Sequence, residues 1–513
     1  LNTTLTDRST AFHERMNDLR RDYDSKLLKV DRDKLPPEDQ LTYDIVKWDM
    51  ELAQTLYTHR NYIPESLLGL TFFPQDFAYN YPIHDLTDAE RYMDILSAFP
   101  DTIAPLLDIP PGELSLTSEF LKLVIEGYEG FIREKPDQTL LFTLFQEKID
   151  PLKLDAANVK RLRTSLLRIV EQDVQPGYRR LADDMARDLL PQASIQIGLA
   201  AQSGGSSYYA ALVKEATSSD MTALEVHDLA KKELARIMAG GLRFSSDPQV
   251  EAQPTDEADQ MIAPEQLLEA NKKVMASVDS LLPQWFEEAL IPKLPVEVQS
   301  YRAPFEGTGG FYMRSSVDGS RSGRYFIPTT APTSRFWMQD IAIHEANPGH
   351  HMQLTTQALQ EHIPLVRKMA KFRGYVEGWG VYAERLGVEM GQLDEMAWLE
   401  RLAGLYLTTI VDTGINGLNW TREQAIEFNL QMTGNANEEI IDRVLSKPGL
   451  GIAYAVGYMQ FAALRERAEK EMGHHFDRRT FHSVLLRDGN MPFQMLEKQV
   501  ERYIQSAPSN KTR

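Results

Sequence analysis

The segment Ile343-His344-Glu345-Ala346-Asn347-Pro348-Gly349-His350-His351 puts three imidazoles and a carboxylate into eight residues, in a chain with 11 histidines. His-Glu at the end of a helix-like run, here Trp337 to Ile343 with Asp340 inside it, is how zinc peptidases set a metal ligand beside a general base. The usual form is His-Glu-x-x-His, with ligands at i and i+4, but here Pro348 occupies i+4. On a straight helix, i+6 points about 120° away from i. Position i+7 lies about 10.5 Å along the axis, too far for two imidazoles to share a zinc at about 2.1 Å. Pro348 removes a helical hydrogen bond and Gly349 accepts unusual dihedrals. The spacing therefore predicts a two-residue bulge that returns His350 to the place i+4 normally holds. His344 and His350 are the expected ligands, with His351 in reserve and Glu345 as general base. The competing reading is a His-rich helix end that caps its own carbonyls.

About two dozen residues on comes Gly374-Tyr375-Val376-Glu377-Gly378-Trp379-Gly380-Val381-Tyr382-Ala383-Glu384. A catalytic zinc takes three protein ligands and keeps one position open, and two His with one Glu is a common set. Glu377 and Glu384, at i and i+7, lie on one helix face. One of them can ligate while the other orients a ligand imidazole through its free nitrogen. Two solvated surface carboxylates are the alternative, which their apolar and aromatic flanks disfavour.

These two segments together resemble the bacterial family known as domain of unknown function 885. The signature is His-Glu-Ala-x-Pro-Gly-His-His-x-Gln followed by Glu-Gly-Trp-x-x-Tyr-x-Glu. Further blocks of similarity are Tyr208-Tyr209 with the helix start Thr222–His227, Asp412-Thr413-Gly414 before Trp420–Glu423, Pro448-Gly449 through Tyr454, Gly457 and Leu464-Arg465, and Phe481-His482 to Pro492. The family is similar to the helical zinc peptidases, such as thermostable carboxypeptidase, the oligopeptidases and angiotensin-converting enzyme. The resemblance implies a mainly α, two-lobed, zincin-like fold with a deep central channel and a small β-sheet beside the site. It also implies one Zn2+ per chain, Glu377 as third ligand with Glu384 behind it, and Tyr454 as donor to an oxyanion. Family members commonly carry His where this chain has Asn416, which puts a substrate-binding role at that position in doubt. They often carry export or lipoprotein signals, which implies a periplasmic or lipid-anchored domain, a cytoplasmic one being the alternative.

Composition narrows the classes. Fifty-five basic against 74 acidic residues leave a net charge of −19, which argues against a nucleic-acid partner. No cysteine is present, so disulfides, thiolate ligands and thiol catalysis are excluded. There is no apolar run long enough to span a membrane, no Gly-x-Ser-x-Gly, and no phosphate-binding Gly motif.

Periodicity predicts helices over most of the chain: Leu5–Leu28, Pro37–Arg60, Asp85–Phe99, Ser115–Glu134, Thr139–Lys148, Ala156–Asp183, a helix opened by the capping box Thr222-x-x-Glu225, and a helical C-terminal half. Ile63–Pro82, rich in Pro and aromatics, reads as an ordered loop. A polar stretch at 240–260 suggests dividing the chain into 1–250 and 251–513 within one continuous structure. Val296–Arg302, Gly310–Arg314 and Gly323–Ile327 read as short strands. Ser320–Tyr325 is the expected edge that would hold an extended peptide, with Tyr325 touching it. Tyr454 and Tyr458 lie one turn apart, and Arg465 could bind a substrate carboxylate or serve a structural ion pair. The reading that results is a zinc peptidase acting on short peptides, with metal-activated water and Glu345 as base. The alternatives are hydrolysis of a non-peptide amide or ester, and a non-catalytic metal- or peptide-binding protein.

Overall fold

Helices with one apolar stripe build most of this molecule. The structure, a computed structural model, describes residues 10–59, 65–107, 117–194, 197–240, 260–301 and 309–506. By its contacts the chain divides into two compact units, Leu1–Lys26 with Leu56–Gly205, and Leu27–Thr55 with Ser206–Arg513. The division drawn from composition at 250/251 is a different one, and most of the polar stretch that suggested it lies outside the described residues.

In the first unit the helix Ser118–Arg133 shows the pattern. Thr117 caps it by accepting from Phe120 N–H, and Phe120, Leu121, Val124 and Tyr128 bury one face. Phe73, Phe77, Tyr92, Phe99, Phe145 and Tyr178 join Tyr128 in an aromatic core. One expectation fails here. Residues Glu65–Asn80 form a helix, not a loop, with Pro74 inside it. A proline leaves the carbonyl four residues earlier without its partner, and that carbonyl, Leu70 O, accepts Tyr178 Oη–H at 2.7 Å. The i, i+4 stack of Phe73 on Phe77, with centroids 5.4 Å apart, supplies the packing that overrides the local signal.

The second unit carries the strands and the site. Among the described residues five short strands form, β1 (Met261–Ile262), β2 (Glu297–Tyr301), β3 (Phe311–Met313), β4 (Arg324–Pro328) and β5 (Thr333–Ser334). The three-stranded sheet runs β2-β4-β3, with β2 parallel and β3 antiparallel to β4, and β1 pairs with β5. The expected edge at Ser320–Tyr325 is thus corrected. Tyr325 lies on the central strand, and Tyr325, Phe326 and Ile327 are buried in succession, as in a strand covered on both faces. The outer edge on the side of the site is β3.

Helices Arg373–Glu389 and Leu450–Met472 cross backbone to backbone. A Cβ on Gly457 would sit 2.1 Å from Gly374 O, and one on Gly378 would sit 2.5 Å from Gly457 Cα. This crossing brings Glu377 and Tyr454, each beside one of these glycines, into one place. Behind it, His482 wedges against the same helix. Its Nδ1–H donates to Trp285 O at 2.9 Å and its Nε2 accepts from Tyr382 Oη–H at 3.1 Å. Burial holds this imidazole neutral and its pKa down at about 3, from 6.5. A base depressed in the folded state contributes stability above its unfolded pKa, which is lost as pH falls. Equilibrium unfolding is therefore expected to show several kcal/mol lost between pH 6.5 and 3. His482→Gln should flatten that part of the profile, and an unchanged slope would contradict the assignment.

Candidate metal centre

The first His-Glu pair closes the helix Arg335–Glu345, which Ser334 caps by accepting from Trp337 N–H. A second helix, His350–Leu359, starts at His350 itself. The expected bulge in one continuous helix is therefore replaced by a break, through a cis Asn347–Pro348 peptide. Gly349 passes so close to the first helix that a Cβ would lie 2.0 Å from His344 O, so only glycine fits. Trp379 Nε1–H holds the turn by donating to Pro348 O at 2.9 Å. The outcome matches the bulge in effect, since His350 is returned to His344 with ring centroids 4.6 Å apart.

The imidazoles converge on one oxygen. Glu377 Oε2 lies 3.9 Å from His344 Nε2 and 3.5 Å from His350 Nε2. Ligand atoms around a tetrahedral ion with bonds of about 2.1 Å are about 3.4 Å apart, so the three residues fit a zinc ion. His344 Nδ1–H donates to Glu384 Oε1 at 2.7 Å, which fixes the tautomer that leaves Nε2 free to ligate. Gly380 makes room, because a Cβ there would meet the His344 ring at 2.3 Å. Ligand atoms of His344, Glu345 and His350 also lie within 4.8 Å of one another, so Glu345 competes with Glu377 for the third position. Glu377 has the stronger claim, because both Nε2 atoms face its one oxygen.

Electrostatics follow from burial. Desolvation raises Glu345, and the His350 and His344 imidazoles oppose it without cancelling it. Burial would raise Glu377 too, but the His344 and His350 imidazoles that face it hold it well below the ordinary range. His344 is the mirror case, lifted by Glu377 and Glu384 against desolvation. Asp340 is fully buried beside Glu384, and both face Arg401, with Arg401 Nε at 3.3 Å from Asp340 Oδ2. Asp340 is thus tied to Glu384 through Arg401, and burial, then Glu384, raise its carboxyl well above the ordinary range. Tyr454 stacks on His344 with centroids 5.8 Å apart, and burial, then Glu377 and Glu345, raise its phenol far up, so it stays a donor.

The remaining expected residues go elsewhere. Both His351 nitrogens are occupied, Nε2–H donating to Leu294 O at 2.9 Å and Nδ1 accepting from Tyr312 Oη–H at 3.0 Å. Burial lowers its pKa to about 4. Tyr325 Oη–H donates to Asn271 Oδ1 at 3.1 Å inside the core. Arg465 holds Glu389 with two bonds of 2.9 Å and Glu469 with one of 2.8 Å, so its ion pairs are structural. Tyr458 packs on Trp398 at 5.7 Å. Tyr312 and Arg401 are the site residues that motif spacing did not reveal, since each arrives from an element remote in sequence.

With that geometry in view, comparison with known proteins places the chain. A family model described as "Bacterial protein of unknown function (DUF885)" matches residues 1–500. The chain belongs to this family. Two solved structures, each named a "putative lipoprotein", share the fold of this DUF885 protein. The one from Colwellia psychrerythraea is 24% identical with a TM-score of 0.85, covering 98% of this chain and 92% of its own. That from Shewanella oneidensis, "of unknown function", is 18% identical with a TM-score of 0.65, covering 97% and 93%. No curated protein matches.

Three of the other blocks that carry the DUF885 resemblance, those with Tyr209 and His227, Asp412-Thr413 and Gly449, meet at a second buried node. Asp412 accepts from Tyr209 Oη–H at 2.8 Å, Asn416 Nδ2–H at 3.0 Å and Gly449 N–H at 2.8 Å. His227 Nδ1 pairs with Thr413 Oγ1 at 2.9 Å. Asn416 also donates to Val444 O at 3.1 Å. Asn416 is thus held in a buried hydrogen-bond network. Among the described residues no helix is long and apolar enough to cross a membrane.

Proposed function

We propose that this DUF885 protein is a zinc-dependent hydrolase of short peptides, with His344, His350 and Glu377 as ligands and Glu345 as general base. The observation that carries the reading is the convergence of two buried imidazole Nε2 atoms on one carboxylate oxygen, with a further carboxylate alongside. Charge supports it. Among the described residues Asp340, Glu345, Glu377 and Glu384 are four buried carboxyl groups with Arg401 as the one guanidinium paired to them, an excess of acidic groups that a bound cation would compensate.

Bound zinc supplies a Lewis acid that activates water and polarises a carbonyl. Glu345 takes the proton from the attacking water and returns it to the leaving amine, a role for which a carboxyl raised by burial is suited. Tyr454 donates its phenol hydrogen to the oxyanion that forms. Glu384 holds the His344 imidazole in its ligating tautomer. The outer edge of β3 offers main-chain groups beside which an extended peptide can lie. The two-lobed zincin-like fold with a central channel belongs to this proposal. So does a periplasmic or lipid-anchored location, which the names of the two solved structures support.

Hydrolysis of a non-peptide amide or ester uses the same groups. A screen of zinc-loaded protein against blocked and free di- to pentapeptides, beside amide and ester compounds, separates the readings. Peptide turnover abolished by chelation supports the proposal; turnover of esters or small amides alone replaces the substrate; no turnover of any compound by metal-loaded protein overturns it in favour of a binding protein.

A further inference from the structure

Arg401 sits on the helix Glu395–Asp412 and belongs to neither signature motif. Its Nε lies 3.3 Å from Asp340 Oδ2 and its Nη2 lies 3.8 Å from Glu384 Oε1, the same oxygen that accepts His344 Nδ1–H. The guanidinium carbon lies 5.0 Å over the Trp337 ring, which fixes its plane. Among the described residues it is the only Lys or Arg within ion-pair distance of either carboxylate. Asp340 and Glu384 are both fully buried, and Asp340 Oδ1 and Glu384 Oε2 have no hydrogen-bond partner there. Two buried carboxyl groups that share one guanidinium repel when both are ionised, and in a poorly screened interior the cation between them offsets that repulsion.

We propose that Arg401 is a positioning residue, which by bridging Asp340 and Glu384 holds Glu384 against His344 and so sets the affinity of the centre for a divalent cation. The inference rests on the metal-site reading above. Without the guanidinium the two carboxyl groups are left unbridged, Glu384 is no longer held against His344, and the imidazole loses the contact that fixes its tautomer and direction. Loss of such a supporting partner costs about 10–100-fold in metal affinity. The role is one of charge, so it has a specific signature: removing the opposing charge on Asp340 should compensate for removing Arg401.

The test is zinc affinity of the full chain by chelator competition, with the visible spectrum of the Co2+-loaded protein and circular dichroism alongside. Arg401→Met should bind zinc about 10–100-fold more weakly, with an altered Co2+ spectrum. Arg401→Lys should stay near the wild type, and the double variant Arg401→Met with Asp340→Asn should recover most of the loss. If Arg401→Met folds and binds zinc like the wild type, or if the double variant binds no better than the single one, the inference is overturned. Should Arg401→Met not fold, the remaining variants decide: the double variant and Arg401→Lys near the wild type support it, and a tenfold or greater loss in a folded Arg401→Lys overturns it. A wild type that binds neither Zn2+ nor Co2+ removes the metal-site reading itself, and this inference with it.

Discussion

Glu345→Gln should lower kcat/KM for any turned-over peptide by about 10³-fold and leave the metal in place. The substitution keeps the shape of the side chain but removes the basic carboxylate. Its effect therefore falls on proton transfer. Zinc content separates this outcome from its rival. Glu345 lies within the same 4.8 Å cluster as the two imidazoles, so if it were the third ligand the variant would lose metal along with rate. Retained zinc with lost turnover assigns the base; lost zinc reassigns Glu345 as ligand; retained zinc with unchanged turnover removes it from the reaction.

Gly380→Ala should abolish tight metal binding without unfolding the protein. In a helix interior, alanine is favoured over glycine by about 0.8–1.0 kcal/mol, so the helix Arg373–Glu389 gains locally. The new methyl, however, would occupy the space of the His344 ring, with its nearest atom at 2.3 Å. The ring is the free end of a side chain and swings away, which breaks its bond to Glu384 and removes Nε2 from Glu377. We expect zinc affinity to fall by about 100-fold or more, with a melting temperature of the metal-free protein close to wild type. Gly457→Ala is the contrasting case. There the neighbour is the backbone carbonyl of Gly374, which cannot swing aside, so fold stability falls together with metal affinity. Wild-type zinc affinity in Gly380→Ala would mean that His344 does not ligate.

Much of the site was legible because its chemistry is concentrated in two short segments. His344, Glu345, His350, Glu377 and Glu384 could be named from residue type and spacing, and the structure brings them together. The path of the chain between the two histidines was less legible. Proline and glycine announce an irregularity, but a bulge and a break read alike until the Trp379 contact with Pro348 O is known. Side chains with two plausible fates were decided by partners far away in sequence. Arg465 was equally suited to a substrate carboxylate, and Glu389, 76 residues earlier, claims it. His351 matched His350 in type and was separated from it only by Leu294 and Tyr312. The helix at Glu65–Asn80 was missed because Pro74 and the aromatics read locally as a loop, while the compensating bond comes from Tyr178. The three strands of the larger sheet were placed well and the short pair β1 and β5 was not foreseen, but which strand is central depends on pairing, and no strand sequence states its neighbours.

The central claim is that His344, His350 and Glu377 hold one zinc ion. Metal analysis of purified, zinc-equilibrated protein tests it most directly, with the wild type beside His350→Ala, His351→Ala and Glu377→Ala. One zinc per chain in the wild type and in His351→Ala, with loss in His350→Ala and Glu377→Ala, is the expected result. A wild type without metal after zinc is supplied, or a His350→Ala variant that keeps its zinc, would contradict the account.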